Sequence, residues 1–207
     1  MLLRPELRNQ SLAKLRSKWT QPVVAALIVA VVSAFMQVGA RVQSAALISI
    51  GTLVALFIAE NLQYGFSVGM LRFNRGRENT VNEMISAGFK EDYGRVLGLM
   101  LLSAVLILLW SLLLIIPGLI KSYAYKMAPY IAEDYPELGP MECLKRSEIL
   151  MHGHKLDLLI LHLSYIGWFF LGILTLGIGL LWVGPWMEMA QVEFYEELKA
   201  ETAFDPI

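Results

Sequence analysis

Three ionisable residues stand inside long apolar runs: Glu60, Lys126 and Glu188. Gln191 follows Glu188 at i+3 and Tyr195 at i+7, which puts these three on one face of a helix. A charge in hydrocarbon surroundings costs roughly 2.5–3.5 kcal/mol unless it finds a partner or water. The chemistry open to such groups is ion pairing, relay of a proton or ion, or capture of a polar headgroup. We expect Glu60, Lys126, Glu188 and Gln191 to meet as a buried polar cluster. Two readings of it stand side by side: a polar cavity for an ion, proton or lipid headgroup, and an ion pair that sets helix register.

Other reactive constellations are weaker. His152-Gly153-His154, with Asp157 and His162 nearby, offers metal-capable side chains. A His-x-x-x-His spacing and paired cysteines are lacking, so no metal site is expected. The sequence holds no Ser or Cys with a His at an obvious catalytic spacing. We expect no catalytic residue, no cofactor and no enzymatic activity. The sequence Asn74-Arg75-Gly76-Arg77 is a basic loop rather than a phosphate-binding one.

Composition explains why buried charge is the informative signal. Of 207 residues, 57% are hydrophobic and 17% charged. Soluble domains carry about 25% charged residues, and one of this size could not bury so much apolar side chain. The mean hydropathy is +0.56. Disordered, collagen-like and disulfide-framework classes are excluded, the last because Cys143 is the single cysteine. The class expected is an integral membrane protein. A net charge of −1 creates no field for nucleic acid, and none is expected as a partner.

The apolar runs must supply the helices that position the charges. Residues 22–38 form an uncharged run of 17, at the short end for a span. A signal peptide ending near Val38-Gly39-Ala40 is the competing reading of this run. The long basic region before it and the hydrophobic segments after it argue against that. Residues 44–70 form a second run, interrupted by Glu60, Asn61 and Gln63. Residues 96–132 would make one helix of roughly 55 Å against a hydrocarbon core of about 30 Å, so this segment must break. Pro117 and Gly118 are placed to break it. The return helix is expected over 119–132, bent near Pro129. Residues 155–199 are likewise too long for one span, and Gly177 and Gly179 mark the turn. Six membrane helices result, near 22–38, 45–70, 96–116, 119–132, 156–174 and 179–198.

Two amphipathic helices are expected at the cytoplasmic interface. Val81, Met84, Ile85, Gly88 and Phe89 recur at helical spacing behind a Thr80/Glu83 capping box. Pro140 suits the first position of a second helix, about 140–152. Residues 1–21 are a basic segment that can lie on the membrane surface as a short helix. Counted against the positive-inside rule, the face carrying both termini collects 14 Lys and Arg and the opposite face two, Arg41 and Lys121. Arg72, Arg75 and Arg77 then lie where anionic headgroups attract them by about 1 kcal/mol each.

A resemblance follows from specific stretches. Leu109-Trp110-Ser111-Leu112-Leu113 and Ile116-Pro117-Gly118-Leu119-Ile120-Lys121-Ser122-Tyr123-Ala124-Tyr125 resemble the bacterial membrane family known as domain of unknown function 975. His162-Leu163-Ser164-Tyr165-Ile166-Gly167-Trp168 and the following Leu174-Thr175-Leu176-Gly177-Ile178-Gly179 resemble it too, as do Gly88-Phe89-Lys90 and Phe194-Tyr195-Glu196-Glu197-Leu198. One departure is Pro185-Trp186, where the family commonly shows Pro-Tyr. The layout is more distantly similar to the membrane domain fused to some glycerophosphodiester phosphodiesterases. These 207 residues hold no counterpart of their hydrolytic domain, so that activity is not expected. The resemblance implies a multi-span bacterial inner-membrane protein with no assigned activity.

The expected fold is therefore all-α: a basic cytoplasmic segment (1–21), one integral membrane domain (22–199) with six membrane helices and two interfacial ones, and a tail (200–207). Both termini are expected in the cytoplasm. The expected role is non-enzymatic binding of lipid or a membrane partner. The alternative is a small oligomeric transporter or channel that uses Glu60, Lys126 and Glu188. The partners expected are membrane lipids, and a second copy or another membrane protein.

Overall fold

A computed structural model describes residues 4–16, 18–42, 50–77, 80–89 and 93–202. The described residues are helical, with no strand among them. In chain order the helices are α1 (Arg4–Leu15), α2 (Thr20–Val42), α3 (Ile50–Asn74), α4 (Val81–Ser86), α5 (Tyr93–Leu113), α6 (Ile115–Ala124), α7 (Ala128–Asp134), α8 (Pro140–Leu150), α9 (Lys155–Leu163), α10 (Ile166–Leu174) and α11 (Leu180–Glu201). A single 3₁₀ turn, Ala87–Phe89, extends α4.

Two helical stretches are long and apolar enough to cross a bilayer: Tyr93–Leu113, and Lys155–Leu174 taken across the short interruption at Ser164 and Tyr165. Residues Glu6–Leu15 and Thr20–Ala34 reach that standard only as a pair, and they bend by 99°. Helices α3 and α11 are as long, at 25 and 22 residues; α3 carries the one carboxylate of Glu60, and α11 carries several glutamates.

Helix α11 is the central element. Nearly every residue from Val183 to Tyr195 is buried, Pro185 and Glu188 included. Helix α1 lies along it through Leu7, Ser11 and Leu15, spaced i, i+4, i+8 and all buried. The Trp186 indole donates to the Arg8 carbonyl at 3.0 Å. Tyr165 and Trp168 stand edge-on to the same ring.

The turns follow local chemistry, with one relocation. The break between α5 and α6 falls at Leu114, whose φ of −160° and ψ of 141° are extended. Pro117 is therefore not the breaking residue. It sits in the first turn of α6, where a missing N–H costs nothing. Gly118 is not at the turn either. Its α-hydrogen faces Ser111 of α5, and a Cβ there would collide with the Ser111 side chain and lie 2.8 Å from its Cα. Its role is close approach of two helices. The return segment is also not a single helix over 119–132. It divides into α6 and α7 at residues 125–127, and Pro129 falls in the first turn of α7. At the second hairpin Gly177 has φ +86° and Leu176 φ +56°. Thr175 ties the turn together: its hydroxyl donates to the Gly172 carbonyl at 2.7 Å and accepts the Gly179 N–H at 2.8 Å.

The two amphipathic helices are present and are packed inward. Thr80 and Glu83 form the capping box. The apolar face of α4 meets α3 through the small residues Gly65 and Gly69, where an added Cβ would lie within 2.9 Å of Met84 atoms. Gly88 likewise packs on the Asn61 carbonyl. Helix α8 opens on Pro140, with the Glu142 carboxylate accepting the Gly139 N–H at 3.0 Å. It packs on α5, α6 and α7. Its Ser147 hydroxyl donates to the Ala124 carbonyl at 2.7 Å and accepts the Met127 N–H at 3.2 Å, which satisfies backbone groups left open at the α6–α7 break.

The exterior is aliphatic. Leu112, Leu113, Leu114, Ile115 and Ile116 are all exposed, Ile115 to 83%. So are Phe170, Leu171, Ile173, Leu174 and Ile178, and Leu176 reaches 94%. Single exposed aliphatics are ordinary on soluble proteins, but a contiguous surface of this kind marks an apolar environment or partner.

Candidate functional site: a polar cavity backed by a buried carboxylate

Helix α3 carries a polar stripe: Glu60, Gln63, Tyr64 and Ser67, at i, i+3, i+4 and i+7. That stripe forms one wall of a cavity of about 470 Å³. Helix α5 supplies Leu99, Met100, Ser103 and Ile107, and α6 supplies Leu119, Ser122 and Tyr123. The α6–α7 break brings in Tyr125 and Lys126, α7 brings Ala128 and Pro129, α9 His162 and α11 Gln191.

Three of the four residues expected to form a buried cluster line this space, Glu60, Lys126 and Gln191, but Glu60 and Lys126 are exposed there and only Gln191 is buried. Glu188 lies behind the wall, 8% exposed. Its Oε1 accepts the Ser67 hydroxyl at 2.5 Å and the Tyr130 hydroxyl at 2.9 Å. The Gln191 Nε2 donates to the Tyr130 oxygen at 2.8 Å. The chain Gln191–Tyr130–Glu188–Ser67 thus runs from one cavity wall to another through a carboxylate. Among the described residues no ion pair joins Glu60, Lys126 and Glu188, so the register-setting ion pair is not what brings them near one another. On the α9 wall, the Tyr123 hydroxyl and His162 Nδ1 are 3.3 Å apart, and His162 Nε2 is buried without a hydrogen-bond partner.

A second polar layer lies at the far end of α3 and α11. Arg72 grips Glu133 with two bonds, Nε to Oε1 at 2.6 Å and Nη2 to Oε2 at 2.8 Å. Arg75 reaches Asp134 with two bonds and Glu196 with a third, at 2.6 Å. Asp134 also accepts from Tyr195 at 2.8 Å and Lys199 at 2.7 Å. Burial raises the Asp134 pKa, but the hydrogen bonds from Arg75, Lys199 and Tyr195 outweigh it and hold the carboxyl below its ordinary value. Arg95 caps α7, donating to the carbonyls of Ala132, Tyr135 and Leu138 at 2.7, 3.1 and 3.0 Å. Two of the three arginines expected at lipid headgroups, Arg72 and Arg75, are thus engaged within the protein, and Arg77 is exposed. His154 pairs with Asp157 at 3.4 Å, while His162 belongs to the cavity.

Sequence reasoning did not single out Ser67, Tyr130, Tyr123 or Asp134. The stripe on α3 was a usable signal for Ser67. Tyr130 and Asp134 had none, because their partners are 58–65 residues away in the chain.

The arrangement can bind and orient a polar group. It presents a carboxylate, an ammonium, two amides, an imidazole and several hydroxyls to one space within a largely apolar body. No curated protein and no solved structure matches the chain. A family model described as protein of unknown function (DUF975) matches residues 1–121 and 112–202, and the chain belongs to that family.

Proposed function

We propose that this chain is a multi-pass protein of the bacterial cytoplasmic membrane that binds a lipid or another amphiphilic ligand in its polar cavity and catalyses no reaction on it. The observation that carries this is one juxtaposition. A polar cavity of about 470 Å³, within the usual range for ligand sites, lies inside a body whose outside is exposed leucine and isoleucine.

Distances along the helices agree with a bilayer. Arg95, in the charged layer, is separated from the exposed tip of α5 at Leu113 by 18 positions, or about 27 Å of helix, close to the thickness of a hydrocarbon core. Glu60 stands 12 positions before Arg72, about 18 Å from that layer along the axis. Six membrane segments with both termini in the cytoplasm remain our reading of the topology. It has α2 crossing as an apolar helix, and α3 and α11 as helices that carry polar residues and pack against their neighbours.

The test is native mass spectrometry of the detergent-purified chain. Wild type is expected to retain lipid, and Ser103→Trp, which fills the cavity from α5, is expected to lose it. Equal retention by both would end this reading.

A second reading, transport by a small oligomer, is favoured by one observation: Ser67 both lines the cavity and donates to Glu188. Proteoliposomes should then show a flux that Glu188→Gln abolishes. Absence of any ion or proton flux in wild-type vesicles would dismiss it.

A further inference from the structure

We propose that the cavity recognises a zwitterion, with Glu60 receiving its ammonium and Lys126 its anionic oxygen. This rests on the ligand-binding reading above and names the class of ligand.

Two charges of opposite sign line the cavity. Glu60 on α3 and Lys126 at the α6–α7 break face the same space from different walls. Among the described residues neither makes an ion pair, with the other or with any third group. Several other charges of the bundle are paired. Lys121 holds Glu148 at 2.5 Å, Lys14 holds Glu193 at 2.5 Å, and Arg72 and Arg75 hold acidic partners. Both side chains are exposed where they line the cavity. Here the fold supplies both signs and keeps them apart.

The sign pattern selects the ligand. A cation would compensate Glu60 and leave Lys126 bare. An anion would do the reverse, and a neutral ligand would compensate neither. A ligand with both charges compensates both, and the loaded site is then electrically neutral. Gln63, Tyr123 and His162 add uncharged donors and acceptors around it. Leu119 lines the cavity and is itself exposed, so the space adjoins the aliphatic exterior. A headgroup could enter there with its chains left among the outer leucines.

Two sources share this chemistry: the phosphoethanolamine headgroup of an aminophospholipid, and a free amino-zwitterion. The full-length chain in detergent is incubated with equal amounts of phosphatidylethanolamine and phosphatidylglycerol, and retained lipid is read by native mass spectrometry. In a parallel arm, delipidated protein is titrated calorimetrically with O-phosphoethanolamine and with glycine. A preference for phosphatidylethanolamine of about tenfold is expected. It should fall below about twofold in Glu60→Gln and in Lys126→Met. Thermal stability should not change in either variant, since neither side chain holds the fold. Binding confined to the lipid arm assigns the headgroup, and binding of a soluble zwitterion lost in both variants assigns the free molecule. Equal retention of both lipids, lost in Ser103→Trp and unaffected by the charge variants, would overturn the zwitterion while leaving the ligand-binding reading intact. No retention of any ligand, or retention indifferent to Ser103→Trp, would overturn both.

Discussion

Asp134 receives both terminal nitrogens of Arg75, at 2.5 and 2.8 Å, across 59 residues of chain. The same carboxylate takes Tyr195 and Lys199. One side chain on α7 therefore fastens the end of α3 to the end of α11. The pair is asymmetric in exposure, with Asp134 almost fully buried and Arg75 part exposed.

Removing the hub should be costly. Asp134→Ala leaves three donors without their acceptor and is expected to destabilise by about 3 kcal/mol, the low end for breaking a buried pair. Arg75→Ala should cost less, because Asp134 keeps Lys199 and Tyr195. Thermal unfolding in one detergent, with exposed Glu137→Ala as the reference, measures both. A melting point for Asp134→Ala equal to the reference would refute the hub.

The same carboxyl predicts a pH response. Its folded pKa is depressed, so the stability it contributes is present above the unfolded value near 3.8 and is lost as pH falls through the lower folded value. Melting temperature should fall on acidification from pH 5 toward pH 3. Asp134→Asn should start lower and show a shallower acid limb. Parallel curves for the two proteins would rule out this residue as the source.

Gly118 should tolerate no side chain. Gly118→Ala drives a methyl into Ser111 and is expected to cost about 1–3 kcal/mol as overpacking. Ser111→Gly should recover part of the loss in the double variant, though the Ser111 backbone remains close. Gly167→Ala, where a Cβ meets nothing within 4 Å, serves as the neutral control. Equal effects at 118 and 167 would show that the close approach is unimportant.

The Glu188 network separates shape from hydrogen bonding. Glu188→Gln keeps an acceptor for Ser67 and Tyr130 and should be mild. Glu188→Leu leaves two buried hydroxyls unsatisfied, at about 1–3 kcal/mol each. Tyr130→Phe in the Leu background should cost less than Tyr130→Phe alone, a coupling that a double-mutant cycle reads directly. Additive effects would mean that the bond at 2.9 Å contributes nothing.

Much of the local structure was legible in the residues. The Thr80/Glu83 capping box, the Pro140 start of α8 and the Gly177 turn each depend on atoms within a few positions of one another, and each appears in the structure. Length limits required breaks in both long apolar segments, and both break. The exact hinge was less legible. Pro117 and Gly118 looked like the corner, but Pro is equally at home in the first turn of a helix, which moved the hinge to Leu114.

The sequence by itself determined an all-helical chain of apolar segments, their approximate lengths, their family, and the few charges that apolar surroundings make conspicuous. Only the tertiary structure decided which charges are paired with one another and which line the cavity without an ion-pair partner among the described residues. Arg72 and Arg75 look as free in sequence as Glu60 and Lys126, yet they are committed to Glu133, Asp134 and Glu196. The reason is geometric. Ion pairing needs two side chains within about 4 Å. That separation depends on how helices rotate and slide against one another, and a nearly uniformly apolar helix carries little pattern to fix either.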